Sequence, residues 1–110
     1  EVYMISSDSM RGFNDLLILI ILKKNDSYGY EISKTIENLS KGTYKLKETT
    51  LYSAIKRLEK NKFIKPYDTE ETFGRKRTNY KITPLGQREV DKKTEEFKEI
   101  SQLINNFLKY

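Results

Sequence analysis

Cationic and hydroxyl side chains gather between Lys47 and Arg77, and these are the side-chain types that hold phosphates and read base edges. Thr49, Thr50, Ser53, Lys56, Arg57 and Lys60 recur at helical spacing in Thr-Thr-Leu-Tyr-Ser-Ala-Ile-Lys-Arg-Leu-Glu-Lys at 49–60, and Gly-Arg-Lys-Arg follows at 74–77. Between residues 41 and 65 the cations Lys41, Lys45, Lys47, Lys56, Arg57, Lys60, Lys62 and Lys65 face only Glu48 and Glu59 as anions. Residues 84–110, by contrast, carry as many anions as cations. A surface that is basic only for solubility has no reason to segregate its charge in this way, so a polyanionic partner is expected. The whole chain agrees, with a net charge of +5 and a pI near 9.3.

Other chemistries are poorly supplied. The 110 residues contain no cysteine and no histidine, which removes disulfides, thiolate zinc sites, a cysteine nucleophile and the commonest general base. The sixteen acidic residues sit mostly among lysines, as on a solvated surface, and no acid pair stands beside an apolar pocket signature. An enzyme is not expected, and neither is a cofactor or a bound metal. The longest apolar run, Leu16 to Leu22, is far short of the ~20 residues that cross a bilayer. A cytoplasmic protein with no membrane partner follows as the expectation. The chain opens on Glu1, which leaves residues 1–3 either native or an appended remnant before Met4.

Around the basic stretch, patterning predicts the supporting elements. A first helix is expected from Ser7–Ser9 to Lys24, its centre Leu-Leu-Ile-Leu-Ile-Ile-Leu apolar on every side and therefore covered on more than one. A second starts at Ser27 as N-cap, with Tyr28, Ile32, Ile36 and Leu39 as its core stripe, and ends before Gly42. Tyr44 to Leu46 has room only for a brief strand. The third helix, Glu48 to Asn61, turns Leu51, Ala54, Ile55 and Leu58 inward, with Thr49 or Thr50 as its cap. Paired strands are expected at Phe63–Glu70 and Lys76–Thr83, the second alternating Thr78, Tyr80 and Ile82 with Arg77, Asn79 and Lys81 as in a half-buried ribbon, around a turn at 71–75 that uses Gly74. Thr83-Pro84 starts a last helix that runs to the terminus. On it Val90, Phe97 and Ile104 repeat every seven residues, with Ile100 and Phe107 alongside, a stripe that needs a partner. Tyr28, Tyr30 and Tyr80 are read as packing residues, whereas Tyr52 is open between packing and phosphate contact.

Three helices, a two-stranded ribbon and a further helix, in that order, make a mainly α chain with a small β-hairpin: a winged helix-turn-helix plus a C-terminal dimerisation helix. Residues 1–83 form the DNA-binding domain, with 1–9 as an N-terminal extension, and 84–110 the helix that packs on the first. A basic helix or a basic turn alone is compatible with a solvated surface; their joint order points to DNA.

The strings Tyr-Gly-Tyr-Glu-Ile at 28–32, Thr-Leu-Tyr-Ser-Ala-Ile-Lys-Arg-Leu-Glu at 50–59 and Arg-Thr-Asn-Tyr-Lys-Ile-Thr-Pro-Leu-Gly at 77–86 resemble the PadR family of bacterial transcriptional regulators, over roughly residues 10–90. The resemblance implies a homodimeric winged-helix repressor, released from its operator by a small apolar or aromatic effector. It places Lys47, Thr49, Thr50, Tyr52, Ser53, Lys56 and Arg57 on or beside the recognition helix, and Arg75, Lys76 and Arg77 in the wing. The dimer interface then draws on Phe13, Leu17, Val90, Phe97, Ile100, Ile104 and Phe107. A glycine common after the recognition helix is replaced by Asn61-Lys62, with asparagine expected to take the left-handed turn. A single C-terminal helix matches the short branch of the family and leaves an effector only a dimer-interface cavity, where Phe13, Phe97 and Phe107 stand in for the missing tryptophan. The rival reading is a winged-helix module whose basic face binds an acidic protein.

Overall fold

Apolar residues from all four helices and the ribbon converge on one core, and that convergence fixes which side of the third helix is left outside. The computed structural model describes residues 5–70 and 74–110. The elements are α1 (Asn14–Lys24), β1 (Ser27–Tyr28), α2 (Gly29–Leu39), α3 (Glu48–Lys60), β2 (Ile64–Glu70), β3 (Lys76–Ile82) and α4 (Pro84–Lys109). The strands form an antiparallel sheet in the order β1-β3-β2. Ile18, Ile32, Ala54 and Ile55 sit at the centre of the core, with Leu58, Ile64 and Val90 sealing it.

The first helix begins at Asn14 rather than at Ser7–Ser9. Residues 7–13 form turns instead, because Gly12 adopts φ +90, a left-handed value that cannot continue a helix. Ser27 does not cap α2: it lies in β1, paired with Tyr80, and its hydroxyl donates to Glu31 Oε1 at 2.6 Å. Tyr28 occupies the cap position without a side-chain cap bond. Leu39, expected in the core stripe, is the last residue of α2 and stands 77% exposed, since the chain turns away there.

No strand forms at Tyr44 to Leu46, although both Tyr44 and Leu46 are buried; the Tyr44 hydroxyl donates to Asn14 Oδ1 at 2.6 Å. Neither Thr49 nor Thr50 caps α3, whose cap position is Lys47 with no side-chain bond. The inward residues Leu51, Ala54, Ile55 and Leu58 are all buried as their spacing requires. After Lys60 the left-handed residue is Lys62, at φ +62, not Asn61 at φ −82. The Lys62 and Phe63 amides then reach back to Glu59 and Leu58 carbonyls, closing the helix end.

On β3, Tyr80 is buried and Ile82 half-buried, but Thr78 is exposed and Asn79 is buried on the opposite face. The Asn79 amide is satisfied there by donating to Thr69 Oγ1 at 2.7 Å. The 71–73 part of the expected turn, like residues 1–3, lies outside the described residues, while Gly74 has the left-handed φ of +73. Thr83 caps α4 as its sequence requires: its Oγ1 accepts from the Gly86 amide at 3.0 Å, with Pro84 at the first helical position.

Candidate nucleic-acid interface

Burial of Leu51, Ala54, Ile55 and Leu58 forces Thr49, Tyr52, Ser53, Lys56 and Lys60 to the outside of α3, where all five are exposed. Lys47, exposed, precedes the first turn, and Thr50 lies half-buried at the edge of the ridge. The ridge is polar from end to end and free of large aliphatic side chains.

Two predicted contact residues are tied to the scaffold. Arg57 points along the side of α3 that faces α1, where Nε and Nη2 hold the two Asp15 carboxylate oxygens at 2.9 and 2.7 Å. The carboxylate raises the guanidinium pKa above its already high ordinary value, so Arg57 stays cationic. Tyr52 leans over the start of α2: a Cβ added at Gly29 would overlap the Tyr52 hydroxyl. Tyr52 thus packs by its ring edge and still stands 42% exposed.

The ribbon brings its cations to different places. Arg75 and Lys76 are exposed at the tip side of the hairpin, where Lys76 lies opposite Glu70 in the strand register. Arg77 is half-buried, its guanidinium carbon 3.9 Å from the centroid of the Tyr28 ring. That stack joins the ribbon to the start of α2.

A cleft of about 290 Å³ separates α3 from α2 and is bordered by Tyr30, Ser33, Lys45, Lys47 and Tyr52. Tyr30 is not a packing residue: it is 65% exposed, with Lys34 Nζ 5.7 Å from its ring centre. Sequence reading counted Lys45 among the cations of the basic stretch but missed the exposed Tyr30 and its neighbour Lys34. The signal was present, since Tyr30 falls off the stripe of Tyr28, Ile32 and Ile36 and so must point outward.

The residues assigned to a dimer interface divide. Val90 is only 1% exposed and belongs to the protomer's own core, because α4 lies against α1 along its first turns. Phe13 and Leu17 are half-buried, and Phe13 meets Phe97 edge-to-face at 6.0 Å. Lys23 adds an ion pair to Asp91 across the same contact. Further along α4, Phe97, Ile100, Ile104 and Phe107 are exposed, joined by Leu103 and Leu108. A second cleft, about 400 Å³, opens between α1, the end of α3 and α4, with Phe13, Leu16, Leu58 and Phe97 in its walls. Among the described residues no group of acidic side chains is arranged to hold a metal, and no helix is long and apolar enough to cross a membrane.

The profile of the transcriptional regulator PadR-like family matches residues 18–92. A transcriptional regulator from Clostridium thermocellum has a similar structure at 51% sequence identity and a TM-score of 0.86, over 94% of this chain and 98% of that one. A PadR family transcription regulator from hypervirulent Clostridium difficile R20291 is 39% identical with a TM-score of 0.76, over 88% and 99% of the two chains. Bacillus subtilis PadR, solved in complex with operator DNA, shares the fold at 23% identity and a TM-score of 0.65, over 71% of this chain and 44% of that longer one.

Proposed function

This chain belongs to the PadR-like family of transcriptional regulators, proteins that regulate rather than catalyse, and on that premise we propose that it binds operator DNA through α3 and the ribbon as a homodimeric repressor. The observation that carries this reading is the polar ridge of α3, exposed because the opposite face of the same helix is buried. In the proposed complex Thr49, Thr50 and Ser53 meet base edges or phosphates, and Lys47, Lys56, Arg75 and Lys76 meet phosphates. Tyr52 and Arg57 hold α3 in place at the border of the contact, and Arg77 holds the ribbon. The fold shared with the operator-bound Bacillus subtilis protein supports the docking.

Homodimerisation is supported by the exposed apolar end of α4, where Leu103, Ile104, Phe107 and Leu108 stand more than half exposed. A two-fold dimer presents two α3 helices to half-sites about 34 Å apart, on one face of B-DNA. Seated on a promoter in the cytoplasm, such a dimer represses by excluding polymerase. A small apolar or aromatic effector fits the cleft between α1 and α4, where Phe13 and Phe97 provide ring faces. Its binding releases the operator by favouring a different separation of the two α3 helices.

Titration against a duplex from upstream of its own gene, and against a scrambled duplex, tests the reading at two salt concentrations. Preference for the first is expected, with affinity falling ~10³ or more between about 50 and 200 mM salt if the dimer neutralises six or more phosphates. Equal binding to both removes sequence specificity, and no binding to either transfers the basic face to an acidic protein partner.

A further inference from the structure

The ridge of α3 has a cleft on each flank. One is the α2 side just described; the other lies between α3 and the turns that precede α1, and measures about 440 Å³. Its far wall is Ser7, Asp8, Arg11 and Gly12, its near wall is Thr49, Thr50, Ser53 and Arg57, and Asn14 and Asp15 complete its lining. We infer that this second cleft takes a DNA backbone phosphate, gripped by Arg11, so that the N-terminal turn is a contact element in its own right. The inference rests on the reading of α3 as the groove-binding helix.

The geometry follows from the width of the groove. A helix with its side chains is about 10–12 Å across and the major groove about 12 Å wide, so a helix lying in it meets both sugar–phosphate strands. Lys45, Lys47 and Tyr30 face one strand. The only wall offered to the other, among the described residues flanking α3, is the N-terminal turn.

That turn is built to stay in place. Its amides close on Ser6, Ser7, Asp8 and Met10 carbonyls, and Ser9 N–H donates to Ser6 Oγ at 3.2 Å. Ile5 N–H reaches the Thr43 carbonyl at 2.7 Å, and Met10 packs against the core. Arg11 is therefore presented from an ordered platform.

Charge separates the roles of the two arginines in the cleft. Arg57 is committed to Asp15 by two hydrogen bonds, and Asp15 is two-thirds buried at the side chain. Arg11 makes one contact to Asp8, 2.9 Å long, with both side chains more than four-fifths exposed. An ion pair so wet contributes little, so Arg11 exchanges the carboxylate for a phosphate at small cost and gains a planar, two-pronged contact. Ser7, Ser53 and Thr49 add hydroxyl donors around the same position.

The salt dependence of binding to the upstream duplex tests this, using the full chain and its Arg11→Ala, Arg11→Lys and Asp8→Asn variants. Arg11→Ala is expected to lower the slope of log affinity against log salt by about 0.9 per protomer, the loss of one phosphate contact, with thermal unfolding unchanged. Arg11→Lys is expected to keep the slope, and Asp8→Asn to bind more tightly than the parent. An unchanged slope in Arg11→Ala, with the parent binding normally, overturns the grip alone. Failure of the parent to bind any duplex overturns the DNA reading on which the grip depends.

Discussion

Arg57, on the helix that carries the polar ridge, holds Asp15, in the first turn of α1, by two parallel hydrogen bonds of 2.9 and 2.7 Å. The pair joins the helix proposed to meet DNA with one that lies against α4. Both partners are partly wet, the Arg57 side chain at 54% and Asp15 at 32%. Asp15→Asn is therefore expected to cost about 0.2–1 kcal/mol of stability, read from denaturant midpoints. Arg57→Lys should lose most of the same amount, because an ammonium cannot reproduce the planar fork. Full retention of stability in Arg57→Lys would contradict the two-bond geometry.

Gly86 is required by a close approach rather than by its backbone angles. A Cβ at this position would overlap the Phe63 carbonyl oxygen and crowd Ile82 Cγ1 at 2.8 Å. Gly86→Ala must push the start of α4 off the ribbon, at a cost of about 1–3 kcal/mol. At Gly29 the obstructing atoms belong to the partly exposed end of the Tyr52 side chain, which yields at lower cost than a backbone carbonyl. Gly29→Ala should be milder in thermal unfolding than Gly86→Ala, and the reverse order would show that Tyr52 is held more firmly than its exposure implies.

Alkali should weaken the fold through its tyrosines. Burial holds the Tyr44 and Tyr80 hydroxyls above the ordinary phenol value, and the Asp26 carboxylate accepting a 2.6 Å bond does the same for Tyr67. The folded pKa of each exceeds its unfolded value of about 10, so the folded state prefers the neutral ring. Stability from these groups is complete below pH 10 and drains away as pH rises through the folded values. Tyr80→Phe should move the alkaline unfolding midpoint upward at little cost, since its hydroxyl makes no described hydrogen bond. Tyr44→Phe instead strands Asn14 Oδ1 and should cost about 1–3 kcal/mol at neutral pH. A midpoint unmoved by Tyr80→Phe would place the alkaline lability elsewhere.

Placing a charge at Phe107 should separate the proposed dimer without unfolding the protomer. Phe107 is 66% exposed and meets the Tyr110 ring edge-to-face at 6.3 Å. Phe107→Glu is expected to sediment as a monomer with the helix content of the parent. A parent chain that is itself monomeric at every concentration would end the homodimer reading.

Much of this arrangement is readable from local pattern. Leu51, Ala54, Ile55 and Leu58 share a helical stripe, so the polar side of α3 follows by subtraction, and Thr83-Pro84 announces α4 through capping chemistry alone. What sequence could not supply is set by contacts between distant residues. Arg57 sits on the outward arc of its own helix and is drawn aside by Asp15, which no spacing rule connects to it. Val90 keeps the seven-residue repeat of Phe97 and Ile104 yet is buried, because α1 covers the first turns of α4 and leaves the later ones bare. The two residues of β1 are too few for any periodicity, and their partner Tyr80 lies near the other end of the domain.

That smallest strand has a consequence for how the molecule comes apart. Ser27 and Tyr28 pair with Tyr80 and Asn79, and Arg77 stacks on the Tyr28 ring, so the hairpin borrows its third strand from the segment between α1 and α2. A two-stranded ribbon alone is only marginally stable in water. The ribbon therefore cannot persist once the helices open, and the helices lose an edge once the ribbon peels away. Amide exchange at Tyr80 and at Ile32 should accordingly slow to a common limit, one cooperative unit rather than a rigid body with a loose appendage.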